Sequence, residues 1–158
     1  MTAIKAQTSP ADFDRWDDVH ALLTECFAPM EGRIDPPSSL QKMTPTSLAE
    51  YARAHDFVVL TERESIVGFG LGEIRTSSLY LSKLAVHPDG RGQGKSRHII
   101  ELFEKLARNS GLVNLTLQTR VELIENHATF RALGFQKTDE TRHPGYDRVT
   151  SYTFTKSL

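Results

Sequence analysis

The chain has one cysteine, Cys26, so it can form no internal disulfide. It has almost no net charge: 19 Lys and Arg stand against 20 Asp and Glu, a formal −1 at pH 7. That balance argues against a general nucleic-acid binder, which needs a broad basic surface. No apolar run approaches the roughly 20 residues that span a bilayer, and Met1-Thr2-Ala3-Ile4-Lys5 has no signal-peptide core. Both observations predict a cytoplasmic protein that does not engage a membrane. The six histidines show no paired ligand spacing, which predicts no metal site. The absence of a Gly-x-Ser-x-Gly elbow removes the simplest serine-hydrolase reading. No internal repeat or low-complexity segment interrupts the chain.

What is present suits one domain, residues 1–158, long enough to bury a real core. Ile4 to Gln7 reads as a first strand. Ser9-Pro10-Ala11-Asp12 predicts a helix start, with Phe13, Trp16, His20, Leu23 and Phe27 following at helical spacing until Pro29. Cys26 falls inside this apolar pattern, which predicts a buried, inert thiol. Met30 to Met43 has no periodicity and reads as a loop. Thr44-Pro45 opens a second helix through about Ala54.

Phe57 to Leu60 and Ile66 to Ile74 read as strands. Gly68, Gly70 and Gly72 share one strand face, which predicts something bulky packed against it. With Leu79 to Val86 these segments predict an antiparallel meander. Val113 to Gln118 alternates as a half-buried strand. Leu123 to Leu133 reads as a helix stopped by Gly134, and strands near Phe135 to Asp139 and Val149 to Thr155 finish the chain.

The stretch that organises the rest is Leu79 to Gly111: strand, glycine-rich turn, helix. Simple alternation puts Tyr80, Ser82, Leu84 and Val86 on one strand face and Leu81, Lys83 and Ala85 on the other. Pro88 and Gly90 end the strand. Ile99, Leu102, Phe103, Leu106 and Ala107 then recur as one helix face. The intervening turn, Arg91-Gly92-Gln93-Gly94-Lys95-Ser96, places glycines and basic residues at a helix start, where unpaired amides attract anions. It reads as a phosphate or pyrophosphate cradle.

Gly94-Lys95-Ser96 looks like the end of a nucleotide-binding P-loop, G-x-x-x-x-G-K-[ST]. The first glycine of that motif would fall on Asp89, and the later strand leads into Gln118 rather than a magnesium-holding Asp. The loop instead resembles [QR]-x-x-G-x-[GA], the pyrophosphate loop of the GNAT acetyltransferase superfamily. Arg91 and Gly94 match, and Ser96 departs from Gly or Ala. Leu84-Ala85-Val86-His87-Pro88 resembles the family's approach to the loop. A second match lies at Glu125-Asn126 and Gly134-Phe135, where Phe130 stands in place of the family's tyrosine.

This resemblance implies an α/β fold with a mixed, mostly antiparallel central sheet flanked by helices. It implies acetyl-CoA as co-substrate and transfer of acetyl to an amine of a small molecule or peptide, by direct attack in a ternary complex. The implied cofactor contacts are Leu84, Ala85, Val86, Arg91, Gly92, Gln93, Gly94, Lys95, Ser96, Asn126 and Phe130. A backbone amide near Leu84 to Val86 would polarise the thioester carbonyl. The connection between the first two helices would border the acceptor. For proton transfer, Glu73 is the nearest carboxylate by strand order, and Tyr146, in the Arg142-His143-Pro144-Gly145-Tyr146 turn, is a phenol to replace the missing one. An alternative is a CoA-binding regulatory or sensor domain without turnover, and a homodimer is left open.

Overall fold

Apolar and β-branched residues concentrate in the central strands, which are buried on both faces, while the edge strand Gln136–Thr141 is exposed. The computed structural model describes residues 3–158. Seven strands, β1 (Lys5–Thr8), β2 (Asp56–Glu62), β3 (Ser65–Arg75), β4 (Ser78–Val86), β5 (Asn114–Arg120), β6 (Gln136–Thr141) and β7 (Ser151–Ser157), form one sheet in the order β1-β2-β3-β4-β5-β7-β6. Every neighbouring pair is antiparallel except β4 with β5. The helices are α1 (Trp16–Phe27), α2 (Pro45–Ala54), α3 (Lys95–Asn109) and α4 (Ile124–Ala132). This is the mixed, mostly antiparallel α/β sheet that the sequence implied. No helix among the described residues is long and apolar enough to cross a membrane.

Strand alternation sorts the core into two layers. On one face Phe57, Val59, Phe69 and Leu71 pack under α1 and α2; on the other Val58, Leu60, Leu79, Leu81, Leu115 and Leu117 pack under α3. Trp16 sits edge-on to Phe13 and Phe57, with ring centroids 5.0 Å apart in each case. The three glycines of β3 face α3. A Cβ at Gly70 or Gly72 would stand 2.9 Å from the Phe103 ring, and one at Gly68 would meet Leu60 and Ile99. The bulky neighbour expected from the sequence is therefore Phe103.

Two expectations need correction. α1 begins at Trp16, not near Ser9. Ser9 is committed elsewhere: its N–H donates to the Phe57 carbonyl at 2.8 Å, and its hydroxyl accepts from the Phe57 N–H at 3.1 Å. α2, by contrast, starts where its signals said, with Thr44 and Ser47 capping each other reciprocally.

The second correction concerns β4. Phe69 pairs with Ala85 and Leu71 with Ser82, so Gly70 alone faces both Lys83 and Leu84. This is a β-bulge, with Lys83 at φ +52°. The extra residue reverses the alternation. Leu79 and Leu81 point to the α3 layer, and beyond the bulge Leu84 and Val86 do so too, while Ala85 joins the α1 layer.

Gly70 is the tightest point of this packing, since a Cβ there would lie 2.7 Å from Leu84 Cδ2. Gly70→Ala is expected to cost about 1–3 kcal/mol through overpacking, read from urea unfolding. Adding Phe103→Leu should return part of that loss; an unaffected single variant would show that the contact is loose.

Candidate active site

The turn after β4 is built from within. The Asp89 N–H donates to His87 Nδ1, the Gly90 N–H to the His87 carbonyl at 2.9 Å, and the Arg91 N–H to the Pro88 carbonyl. Gly92 and Gly94 both have φ +78°, a left-handed conformation that suits glycine. A Cβ at either would meet nothing within 4 Å, so the glycines serve the backbone path and leave the outer side open. Among the described residues, no amide from Gly92 to Arg97 donates to a protein acceptor; the ladder of α3 begins with His98 N–H to the Gly94 carbonyl. Such a row of free donors at a helix start fits a pyrophosphate. Lys95 does not project outward as a free charge. Its side chain is buried against Gly90 and donates to Gln93 Oε1 at 2.7 Å. Arg91, Ser96 and Arg97 are exposed.

β4 and β5 pair only over Ser78–Leu81 and Asn114–Leu117. Beyond Leu81 they part, and the edge of β4 from Ser82 to Val86 has no strand partner on that side. The opening is a cleft of about 660 Å³, in which Leu84 and Leu117 meet Asn126 and Phe130 of α4, with Pro36–Ser39 and His143 at its rim. No residue from 87 to 98 lines it. Ala85 and Val86 are buried beside it, and the half-buried Cys26 thiol donates to the Val86 carbonyl at 3.4 Å. Burial pushes that thiol up from its ordinary pKa, with Arg91 opposing. The Phe130 ring packs edge-on against Phe135 at 5.9 Å.

The model of the acetyltransferase (GNAT) family matches residues 16–135. This chain belongs to the GNAT acetyltransferase family. An aminoglycoside N(6')-acetyltransferase type 1 from Stenotrophomonas maltophilia is 30% identical over 144 residues, 84% of this chain and 86% of that protein. Two solved structures share the fold. An acetyltransferase from Streptococcus agalactiae 2603 has a TM-score of 0.75 at 20% identity over 98% of each chain. The PaiA N-acetyltransferase from Thermoplasma acidophilum, solved in complex with coenzyme A, has a TM-score of 0.75 at 11% identity over 99% of each chain.

In this GNAT chain the residues expected from sequence divide into three groups. Arg91 to Ser96 form the turn, while Leu84, Asn126 and Phe130 meet in the cleft, with Ala85 and Val86 buried beside them on the same strand as Leu84. Glu73 and Tyr146 lie outside the cleft lining. The Glu73 carboxylate accepts from the Tyr51 hydroxyl at 2.7 Å and from Arg75 at 2.9 Å, and Arg75 stacks on the Tyr80 ring at 3.8 Å. The Tyr51 hydrogen bond and then Arg75 hold Glu73 below the usual carboxylate range, which makes it a weak base. Tyr146 donates to Asp35 Oδ1 at 2.6 Å, and that bond raises its pKa.

Three groups in the cleft were missed. His143 lines it with Nδ1 against the Thr150 hydroxyl, and burial and then Arg120 hold its pKa below 6.5. Lys83 and Arg120 line it as well. The one sequence signal for Lys83 was a lysine inside an apolar strand.

The loop between α1 and α2 is fastened to α4 by Arg33, which donates to both Glu125 carboxylate oxygens. The Arg33 hydrogen bond pulls Glu125 from an ordinary 4.5 down to about 2. A depressed carboxylate contributes stability above its unfolded pKa and loses it as pH falls through the folded one. Parent and Glu125→Gln should therefore differ in urea midpoint at pH 7 and converge as pH drops from 4.5 toward 2. A gap that stays constant across that window would show that the clamp adds nothing electrostatic.

Proposed function

We propose that this GNAT chain is an acetyl-CoA-dependent N-acetyltransferase that acylates an amine of a small molecule or peptide by direct attack. The observation that carries the reading is one of placement: a row of unpartnered amides, Gly92 to Arg97, follows the one strand edge that β5 leaves open. The amides would hold the CoA pyrophosphate, and the Ser82–Val86 edge would pair with the pantetheine arm. Acetyl-CoA supplies a thioester-activated acetyl group. A backbone N–H on that edge, near Leu84 to Val86, polarises the carbonyl, as oxyanion donors do. The acceptor enters past Pro36–Ser39 and His143. An aminoglycoside, the substrate class in the relative's name, is a polycation, and a cleft lining with Lys42, Lys83 and Arg120 but no Asp or Glu favours a different acceptor.

His143 is the base this geometry favours over Glu73. With its pKa held below 6.5, the imidazole is neutral at pH 7 and able to take the proton of an ammonium acceptor. Phe130 has no proton to give, but a thiol pKa near 8.5 makes the departing sulfur weakly basic, so no strong acid is needed. Tyr146 acts here through Asp35, holding the acceptor-side loop, rather than on the reacting atoms.

Two variants test this. Gly94→Val forces a β-branched residue to φ +78°, and a folded protein should lose its thermal stabilisation by CoA; stabilisation equal to the parent's would move the cradle elsewhere. His143→Gln should lower kcat by about 10²-fold with CoA binding intact. The parent's kcat/KM should fall on the acid side with a pKa below 6.5, and the variant should lack that limb. Unchanged kcat would remove His143 from the reaction.

A further inference from the structure

The lining of the cleft has an unusual charge pattern. Lys42, Lys83 and Arg120 are there, with His143, and no carboxylate is among the lining residues. The protein as a whole carries a formal charge of −1, so this imbalance is local. These cations are also separate from the basic turn, since nothing from 87 to 98 reaches the cleft.

Resting on the acetyltransferase reading, we propose that the acceptor is an amine that also bears an anionic group, a carboxylate or a phosphate, held by Lys83 and Arg120. Lys83 stands on the extra residue of the bulge, so the same irregularity that opens β4 aims its side chain at the acceptor side. Its Nζ has one protein partner, donating to Ser39 Oγ at 2.8 Å. Arg120, at the end of β5, donates to the carbonyls of Pro36 and Pro37. Neither forms an ion pair among the described residues. The nearby acids Asp35 and Glu122 lie 3.5 Å and 3.9 Å from Arg148 and also act on Arg120, but burial outweighs them and keeps Arg120 below its usual pKa. Burial and then Arg120 keep Lys83 below its usual pKa, with no carboxylate contribution to offset them. Two cations that crowd each other in a partly desolvated cleft gain most from a shared anion.

The test is a set of matched acceptors with acetyl-CoA: β-alanine and 4-aminobutyrate, β-alaninamide, O-phosphoethanolamine, spermidine and kanamycin. The proposal expects the anionic amines to be acetylated in preference to the neutral amide and the polycations. The carboxylate and phosphate arms show which anion is used. Lys83→Met keeps the aliphatic stem and should lower kcat/KM for the anionic acceptor by roughly 10- to 100-fold, the worth of a charged hydrogen bond. It should leave β-alaninamide nearly unchanged. Equal losses on charged and neutral acceptors would make Lys83 a proton carrier and overturn the proposal. Preferred acetylation of spermidine or kanamycin would overturn it while leaving the acetyltransferase reading intact. CoA stabilisation with no amine acetylated at all would overturn both.

Discussion

The site depends on one backbone irregularity, the β-bulge that sets Lys83 and Leu84 against the single residue Gly70. A bulge adds local twist and disrupts the regular ladder, and here it lies just past the last β4–β5 pair, Leu81 with Leu117. A strand that continued straight would extend that parallel pairing and close the cleft. Instead the edge beyond Leu81 keeps unpaired backbone groups. Phe103 stabilises the distortion from the α3 side, filling the space that Gly70 and Gly72 leave. Gly70, Gly72, the aromatic ring and the bulge are one packing unit.

The turn after β4 shows how such a site can be rigid without being filled. His87 and Pro88 tie back the first amides, and Lys95 braces Gly90 from within through Gln93. The amides that follow are left free to face outward. The cationic side chain that a P-loop would extend toward phosphate is here a structural strut. Basic character at the surface comes from Arg91 and Arg97.

Across the cleft, the wall that faces β4 is assembled from segments far apart in sequence. The α1–α2 loop, the end of β5 and the β6–β7 connection meet through Arg120 on Pro36 and Pro37, and through Tyr146 and Arg148 on Asp35. These contacts arrange a pocket lined by Lys42, Lys83, Arg120 and His143.

The sequence by itself determined the element order, the meander, the capping of α2, the glycine face of β3 and the place of the glycine-rich turn before α3. Each of these is written in local periodicity, turn residues or a short motif, which a chain read in order can show. Most element bounds shifted by only a few residues. Only the tertiary structure decided where α1 begins, because Ser9 is claimed by Phe57 from β2. It alone reversed the faces of Leu84 and Val86, since a bulge is a relation between two strands. It also took Glu73 and Tyr146 out of the cleft and brought in Lys83, Arg120 and His143. A side chain's partners come from distant segments, and no local pattern records them.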